Sequence, residues 1–597
     1  MSEPFGRYLL NQELPDEYKI KSNVTKGALK KDMFTYARKD PEGYAKSIVA
    51  LKRIGDMLAT QEGLSIGLED ITPQYAKRNK EMQFYVNKFK RATSDSKKQE
   101  IAIQAQKAMV SSVIKHPGSL TLQVASGARG NTLQYSNMVN AVGAARDSKG
   151  GMTPWLISHS YAEGLTPAEY FATTNQSLMD VVKSNTAVSE PGELNKKLIN
   201  VMYDSVITED DCGTHNGVML EVLSPDAIDR YTARDVAGVK RNTLITTINQ
   251  GAIAKKHKKL LLRSPMTCEA ADGVCQLCQG LNEHGSNHIL GINVGVRSAA
   301  ALSEPLTQFA LNSKHGGRNI DSDKNQAQGI SGFRQMLETP KVFINRAALA
   351  TLQGKVDNVS KAPQGGTNID INGVKHYALP GMRIYVTKGS KVEAGDVLSE
   401  GIPKPDELVK YKGLSEGRNY LVNSLKNLYK TQGRDLDRRH FELLAKSNMN
   451  HVRILDDKNN AFIKGDIVNY NTLRSELTSN TARKDLSNAL GDTLGHGAGG
   501  FLPGTRITSK VYSELKKQKI NEVLVAPRAP SVEFVMKSAT LVPKLNEDWM
   551  ARMSHQGLKR SILQAAHTSE RSNLHGTHPI PAYAYGAEFG EGTKGRY

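Results

Sequence analysis

The stretch "TCEAADGVCQLCQG", residues 267–280, contains three of the four cysteines in this chain. Cys268, Cys275 and Cys278 form a C-x6-C-x2-C array, and a C-x2-C pair at a tight turn presents two thiolates to one tetrahedral zinc ion. The remaining cysteine, Cys212, lies upstream in "EDDCGT", residues 209–214. A site that uses every cysteine favours structural zinc with four thiolates and no open coordination position. The alternative is a set of buried, unligated thiols.

Bulk composition limits the class of protein. A chain of 597 residues exceeds what one hydrophobic core usually supports, so we expect several packed units. The formal net charge of +19 favours a polyanionic partner, although a solvated basic surface would give the same count. We find no apolar run of membrane-spanning length and no secretory signal, which predicts a cytosolic protein without a membrane partner. Four cysteines are too few for a disulfide scaffold.

Residue periodicity predicts a mixed α/β (α+β) chain of several modules. Apolar residues at helical spacing predict a helical hairpin, with Met82 to Phe89 on its first helix and Ile101 to Met109 on its second. The glycine loop "SGARGN", residues 126–131, could cradle phosphate, but alone it is weak evidence. A helical pattern at 163–175 is interrupted by "SEPG", residues 189–192, which predicts a long, broken helix. From about Val342, short β-like runs such as "RIYVTKGSKVEAGDVL" predict small β modules, followed by helix at 407–444 and a closing helix.

A second informative stretch is "EPLTQFALNSKHGGR", residues 304–318. Its pattern predicts a helix that carries Phe309 and Leu311 and ends in a lysine, a histidine and two glycines. A histidine beside a Gly-Gly pair can be an ordinary polar helix end, because most histidines titrate without catalysing a reaction. The stretch alone leaves a structural and a catalytic role for His315 open.

Taken in order, "EDDCGT", "TCEAADGVCQLCQG" and "GVRSAAALSEPLTQFALNSKHGG" resemble the largest subunit, β′, of multisubunit DNA-directed RNA polymerases. Flanking segments extend the resemblance: "SIGLEDI" with the hairpin looks like the secondary-channel rim, "SGARGN" like the F-loop, and "EGLTPAEYF" like the start of the bridge helix. Near the C-terminus, "SHQGLKRSILQAA" is similar to the β′ carboxy-terminal region. The resemblance runs from about residue 60 to about residue 586.

The resemblance implies a division of the chain into segments. These are an N-terminal segment at 1–60, a rim helical hairpin at 61–117, an F-loop region at 118–154, a bridge helix region at 155–203, a zinc-binding module at 204–282 (Cys212 plus 268–278), a trigger loop with flanking helices at 283–340, β-rich barrel- or sandwich-like and helical jaw- and clamp-like modules at 341–540, and a helical clamp-base region at 541–597.

The resemblance also implies roles for individual residues. His315 would approach the phosphates of the incoming nucleoside triphosphate as the catalytic helper, while Gly316 and Gly317 would be hinge residues of the trigger loop. The other implied nucleotide-binding residues are Gln308, at the ribose-contacting position, Leu311, which would pack on the base, Asn312 and Lys314. Val188 and Ser189 would lie on the bridge helix near the active site, and Arg129, Lys196 and Lys197 would contact nucleic acid.

Two departures from the family pattern bear on these roles. Lys314 stands where the family usually has an aromatic residue, and it would either add positive charge near the triphosphate or face solvent. The bridge-helix centre has lost most of the family's basic and small residues and contains Pro191, which predicts a kink unless the segment is remodelled.

The resemblance implies a polymerase subunit that is active only within a complex. In the family, catalytic Mg²⁺ is held by three alternating aspartates, and no D-x-D-x-D string occurs in this sequence. We therefore expect a separate β′ N-terminal chain, together with β N-terminal and β C-terminal chains, as in the split polymerases of giant bacteriophages. DNA template, RNA product, nucleoside triphosphates and a promoter-specificity subunit would be further partners. The implied location is the cytoplasm of an infected bacterium, with the virion as an open alternative.

The competing hypothesis is a non-catalytic, zinc-bearing transcription regulator that binds nucleic acid. Net charge and cysteines would suffice for such a protein. It would leave the collinear order of the motifs and the "LNSKHGG" string unexplained, so we favour the polymerase hypothesis.

Overall fold

The computed structural model describes residues 5–584, except 22, 64, 74, 114–117, 146–152, 187–188, 316–329, 432–433, 458–460, 554–557, 573, 575–576, 579 and 582–583. The chain divides into two compact units. Unit 1 comprises residues 1–189 and 310–324, and unit 2 comprises residues 190–309 and 325–597.

The regular secondary structure described in unit 1 is helical, apart from one isolated β-bridge between Gly143 and Ile157. Its helices are α1 Phe5–Gln12, α2 Lys26–Lys39, α3 Pro41–Glu62, α4 Tyr75–Arg91, α5 Asp95–Val113, α6 Ser119–Ser126, α7 Thr132–Val139 and α8 Pro167–Thr186.

Capping residues set the ends of α2 and α3. The Thr25 side chain accepts a hydrogen bond from the backbone of α2, and Asp40 does the same at the start of α3, where Pro41 occupies the first turn. Gly63 ends α3 with a φ of 54°, a left-handed conformation that glycine adopts without steric cost. Helices α1 to α3 therefore form a bounded bundle with its own small apolar core.

The predicted helical hairpin is confirmed. Helices α4 and α5 pack through Met82, Ala105 and Met109, all fully or nearly fully buried, and Ala141 completes this cluster. Gln106 on α5 donates hydrogen bonds to the carbonyl oxygens of Val142 and Ala144, which fixes the segment after α7 against the hairpin.

Unit 2 contains small sheets. Its strands are β1 Ile207–Glu209, β2 Val218–Glu221, β3 Lys259–Leu262, β4 Val274–Cys275, β5 Gly354–Lys361, β6 Thr367–Ile371, β7 Val374–Ala378, β8 Lys391–Val392, β9 His451–Asp456, β10 Ile467–Asn469, β11 Ala482–Asp485, β12 Glu522–Val525 and β13 Ser531–Val535. Strands β1 and β4 pair in parallel, and the other pairings are antiparallel: β2 with β3, β11 with β12, the order β10-β9-β13, and the order β7-β6-β5-β8.

The helices assigned to unit 2 or shared with unit 1 carry most of its core. They are α9 Ser189–Met202, α10 Gln250–Ala254, α11 Gln276–Gln279, α12 Val294–His315, α13 Ile330–Glu338, α14 Pro405–Thr431, α15 Arg438–Asn448, α16 Tyr470–Ser479, α17 Ser509–Lys517, α18 Trp549–Met553 and α19 Leu558–Thr568. The mixed helix-and-sheet class predicted from the sequence is therefore confirmed.

The largest core joins the helices of unit 2 around an aromatic cluster. Tyr429 on α14 packs edge-on against Phe333 and Phe441, with ring centroids 5.8 and 5.2 Å away. Its hydroxyl donates a 2.6 Å hydrogen bond to the carbonyl oxygen of Leu302, a residue of α12. The first part of α12 is thereby anchored in the core. The predicted return to helix at 407–444 is also confirmed, as α14 and α15, with a kink at Gly413.

The short β-runs and small sheets expected from about Val342 are present, and in "RIYVTKGSKVEAGDVL" the strand Lys391–Val392 lies between turns at Gly389 and Gly395, which adopt positive φ values. One detail differs from the sequence-based expectation. Helix α9 begins at Ser189, ahead of Pro191, rather than after "SEPG". Proline is tolerated there because backbone N–H groups of the first helical turn have no intrahelical partner.

Among the described residues, no helix combines the length and the apolar character needed to cross a bilayer.

Candidate functional site

The four cysteines converge at the parallel pair β1 and β4. Cys275 ends β4 and caps α11, which carries Cys278, while Cys212 follows β1 by three residues. Cys268 follows a short turn that Pro265 begins. At Gly273, φ is 62°, and a Cβ atom would lie 2.2 Å from the carbonyl oxygen of Val206, so only glycine fits this approach between the strands.

The sulfur geometry fits a tetrahedral metal site. All four Sγ atoms lie within 4.8 Å of one another, and those of Cys212 and Cys278 are 3.7 Å apart. A tetrahedral ion with metal–sulfur bonds of about 2.3 Å would separate its ligands by about 3.8 Å. Donor chemistry and spacing therefore both suit a divalent ion such as zinc, and the predicted convergence of the cysteines is confirmed.

Backbone N–H groups point at the sulfurs. The amides of Cys275 and Cys278 donate 3.3 Å hydrogen bonds to the Sγ atoms of Cys268 and Cys275, respectively, and the amide of Glu269 donates to Cys212 at 3.4 Å. Such bonds stabilise negative charge on sulfur, which metal ligation requires.

Arg263 lies directly against the cluster and is fully buried. Its Nη2 atom is 3.4 to 3.6 Å from the sulfurs of Cys212, Cys275 and Cys278, and its Nε atom is 3.4 Å from Cys278. The same guanidinium donates to Asp211 at 2.6 Å and to Asn242 at 2.9 Å. All three guanidinium nitrogens of this buried arginine therefore have partners.

The electrostatics of the cluster follow from burial and these contacts. Burial raises the pKa of the Cys278 thiol well above its usual range, and the neighbouring sulfurs raise it further. The pKa of Cys268 is lowered despite burial, because hydrogen bonding with Cys212 and the charge of Lys446 favour its thiolate. Burial opposes the charge on Arg263, but Cys278 and Asp211 together raise its pKa.

The loop around Cys268 is held from the other side by three buried cations. Lys446 on α15 donates a 2.7 Å hydrogen bond to the carbonyl oxygen of Gly273. Arg474 on α16 donates to the carbonyl oxygens of Cys268 at 3.2 Å and Ala270 at 2.7 Å. On α14, Arg418 donates to the carbonyl oxygen of Met266 at 3.1 Å.

The predicted nucleotide-binding residues lie on α12, which continues to His315. Leu311 and His315 are four positions apart, so they fall on one face of that helix. The side chains of the predicted set lie outside the described residues: Gln308, Leu311, Asn312, Lys314 and His315. Gly316 and Gly317 also lie outside the described residues.

The chain also matches a protein family. The family model for RNA polymerase Rpb1, domain 5, matches residues 164–379 and 360–470, which together make up slightly more than half of the chain. The chain belongs to this family. The matched range of this Rpb1 domain 5 protein contains all four cysteines and α12.

Curated relatives of this Rpb1-family chain are DNA-directed RNA polymerase β′ subunits. It is 26% identical to that of Desulforudis audaxviator over 516 residues, covering 79% of this chain and 44% of the relative. It is 27% identical to that of Symbiobacterium thermophilum over 505 residues, covering 78% and 42%, and 26% identical to that of Clavibacter michiganensis over 618 residues, covering 96% and 44%. The chain thus spans less than half the length of these relatives and corresponds to the C-terminal part of β′.

The remaining predicted residues of this Rpb1-family chain belong to the turn after α6, to α9 and to the position just before α9. Ser189 is exposed at the start of α9, Arg129 is exposed in the turn after α6, and Val188 lies outside the described residues. Lys196 is exposed, whereas Lys197 forms ion pairs with Glu193 at 2.9 Å and Glu338 at 3.1 Å. Their predicted nucleic-acid and active-site contacts stay predictions.

Sequence reasoning missed Arg263 and Lys446. A usable signal existed for Arg263, because a charged residue that ends the apolar run "LLLR" is a candidate for a buried, paired group. For Lys446 no local signal exists, since it meets Gly273 across 173 residues of sequence.

Proposed function

We propose that this chain is a subunit of a DNA-dependent RNA polymerase that supplies the bridge helix and the trigger loop for template-directed nucleotidyl transfer. The bridge helix corresponds to α8 and the start of α9, and the trigger loop begins in the last turns of α12. Nucleoside triphosphates are the substrates, and DNA template and RNA product are the nucleic-acid partners.

The observation that supports this proposal best is the course of α12. One helix runs from Val294, inside the core of unit 2, to His315. A residue at the end of an anchored helix can be brought to a substrate reproducibly. The family match over this range supports the same assignment.

In this proposal the end of α12 meets the incoming nucleotide. Gln308 contacts the ribose, Leu311 packs on the base, and His315 gives a hydrogen bond or a proton to the leaving pyrophosphate. Asn312 and Lys314 line the same pocket, while Gly316 and Gly317 permit the loop to fold and unfold in each cycle. The protein's task is mainly positioning and charge stabilisation, because phosphoryl transfer requires little covalent chemistry from side chains.

The catalytic magnesium belongs to a partner in this proposal. Three alternating aspartates hold it on a β′ N-terminal chain, and this sequence contains no D-x-D-x-D string. Further partners are β N-terminal and β C-terminal chains and a promoter-specificity subunit, in the split arrangement of giant bacteriophages. The complex works in the cytoplasm of the infected bacterium, and packaging in the virion is the open alternative.

The four cysteines hold structural zinc in this proposal. Cys212, Cys268, Cys275 and Cys278 fill a tetrahedral coordination sphere, so the ion cross-links β1, β4 and the loop between them and takes no part in nucleotide addition.

Substitution of His315 tests the polymerase proposal. In the assembled enzyme, His315→Ala should slow single-nucleotide addition at saturating substrate while leaving assembly and promoter binding intact. General acid catalysis contributes about a hundredfold or more, whereas one positioning hydrogen bond contributes roughly tenfold. The size of the loss in addition rate therefore distinguishes general acid catalysis by His315 from positioning through one hydrogen bond. Leu311→Ala should also slow addition, and the two effects should be sub-additive because both residues act in the folded loop.

The matched control is His284→Ala. The side chain of His284 is 82% exposed and pairs only weakly with its neighbour Glu283, so its loss should leave the addition rate unchanged. Wild-type addition rates for His315→Ala would contradict the proposed role of the histidine.

A further inference from the structure

The charge balance around the cysteine cluster identifies residues that act on the metal without touching it. Four thiolates around one divalent ion carry two net negative charges. Such a dianion is costly to bury unless nearby cations or hydrogen-bond donors compensate it. Compensation in this chain comes from both sides of the cluster.

On the first side, Arg263 donates directly to sulfur. Its contacts with three of the four Sγ atoms span 3.4 to 3.6 Å, and Asp211 and Asn242 fix the guanidinium in place. Arginine suits this position because its planar fork presents several N–H groups at once to neighbouring acceptors. A lysine at position 263 would supply the positive charge but only one donor nitrogen.

On the second side, Lys446 supplies charge behind the loop. It is 8% exposed and hydrogen-bonds the carbonyl oxygen of Gly273, two residues before Cys275. Within the described part of the chain, Lys446, Arg418 and Arg474 form no ion pair with a carboxylate. Of these three cations, Lys446 is the one whose charge is favoured by the neighbouring sulfurs of Cys268 and Cys278.

We propose that Arg263 and Lys446 are positioning residues of the metal centre, Arg263 through hydrogen bonds to the sulfurs and Lys446 through its charge behind the loop. This inference rests on the proposed zinc site. It extends that site beyond its ligands to a residue of α15 that lies far away in sequence, so metal retention depends on the helical core of unit 2. Outer partners of this kind typically change metal affinity by about 10- to 100-fold.

The test measures the metal directly on the full-length chain. Wild type, Arg263→Met, Arg263→Lys and Lys446→Met are loaded with zinc and titrated with a chromophoric chelator, after circular dichroism has verified their fold. Arg263→Met should lower the zinc affinity about 10- to 100-fold. Lys446→Met should lower it by a smaller factor, because Lys446 acts through its charge and its hydrogen bond to Gly273 and does not donate to sulfur.

A spectroscopic signature separates hydrogen bonding from general loosening of the fold. In the cobalt(II)-loaded chain, donors to sulfur stabilise the sulfur electrons and raise the energy of the sulfur-to-cobalt charge-transfer band. Arg263→Met should therefore shift this band to lower energy, Arg263→Lys should restore part of the shift, and Lys446→Met should leave the band in place.

The matched control is Arg438→Met. Arg438 is a buried arginine of the same unit that pairs with Glu442 and, among the described residues, contacts no sulfur, so this variant should keep both the zinc affinity and the band of the wild type. A wild-type zinc affinity and a wild-type charge-transfer band for Arg263→Met would overturn the inference. If Arg263→Met does not fold, the inference is overturned when Lys446→Met keeps the wild-type zinc affinity and Arg263→Lys keeps the wild-type band. A wild-type chain that takes up neither metal would instead overturn the zinc proposal itself.

Discussion

The cysteine module and helix α8 belong to the same chain but obtain their partners in opposite ways. Every polar group of Arg263 is bound by residues of this chain, and three of the four cysteines are buried. Helix α8 instead leaves large apolar side chains at the surface: Tyr170, Phe171, Leu178, Val181 and Val182. The module takes these contacts from residues of this chain, whereas α8 carries several large exposed apolar side chains, which often mark interaction surfaces.

This difference shows which kind of site can be recognised from the structure of a single chain. A structural site that draws all its partners from one polypeptide leaves its mark in buried contacts and short distances. Helix α8 instead shows an exposed apolar face, and the relatives are more than twice as long as the part of them that aligns with this chain.

Removal of a metal ligand should have the largest effect. Cys275→Ala should abolish zinc binding and unfold the surrounding part of unit 2, since ligation in isolated zinc modules contributes on the order of 10 kcal/mol to folding. Metal analysis of the purified chain should find one zinc per wild-type chain and none in the variant. A zinc-free wild-type chain that is folded and assembles normally would remove the basis for calling the module a metal centre.

The next largest effect should come from the buried carboxylate of Glu442. It accepts hydrogen bonds from Arg230 at 2.8 Å, Arg438 at 2.9 Å and Ser264 at 2.8 Å, and its side chain is fully buried. Glu442→Gln removes the only negative charge that pairs with either arginine among the described residues. Breaking such a pair costs about 3–5 kcal/mol.

Urea unfolding of the full-length chain measures this cost. Glu514→Gln provides the control, because Glu514 forms an exposed pair with Lys517 that is worth between 0 and about 1 kcal/mol. Equal stabilities for the two variants would show that the network beside the cysteine module adds nothing.

Unit 1 contains a similar ion pair, between Arg78 and Glu163, whose loss should have a smaller effect on stability than the loss of the Glu442 pairs. Arg78 is buried, donates to both carboxylate oxygens of Glu163, and also reaches the carbonyl oxygens of Asn140 and Ser158. Glu163→Gln should cost about 1.5–3 kcal/mol at neutral pH, the range for hydrogen bonds to charged groups.

The stabilisation by this ion pair should depend on pH, and the lowered pKa of Glu163 sets the direction of that dependence. Hydrogen bonding from Arg78 lowers the pKa of Glu163 in the folded chain, while the unfolded chain keeps a value near 4.3. The stabilisation is therefore complete above about pH 5 and is lost as the pH falls through the folded pKa. Unfolding free energies of wild type and Glu163→Gln should converge in acid. A difference that grows below pH 4 would contradict this.

How far the sequence could predict these regions depends on where the partners lie along the chain. Spacing alone identified the cysteines, because two of them are separated by a single turn, and periodicity identified α4, α5 and α14. Lys446 could not be found, since its contact with Gly273 exists only after α15 has packed. The start of α9 was misplaced because proline is compatible with a first turn as well as with a break.

The smallest effect on stability, and the sharpest test of the comparison, is expected at Leu178. Its side chain is 62% exposed on α8, whereas Leu444 on α15 is fully buried. Leu444→Ala should destabilise the isolated chain by about 2–5 kcal/mol, the cost of a cavity in a core. Leu178→Ala should change the stability of the isolated chain by no more than about 0.5 kcal/mol, because an exposed side chain loses little on truncation.

If α8 works against other polymerase chains, Leu178→Ala should nevertheless weaken assembly or slow nucleotide addition in the reconstituted enzyme, as truncation of an interface contact does. A Leu178→Ala enzyme that assembles and extends RNA like the wild type would show that the exposed face of α8 needs no partner at this position.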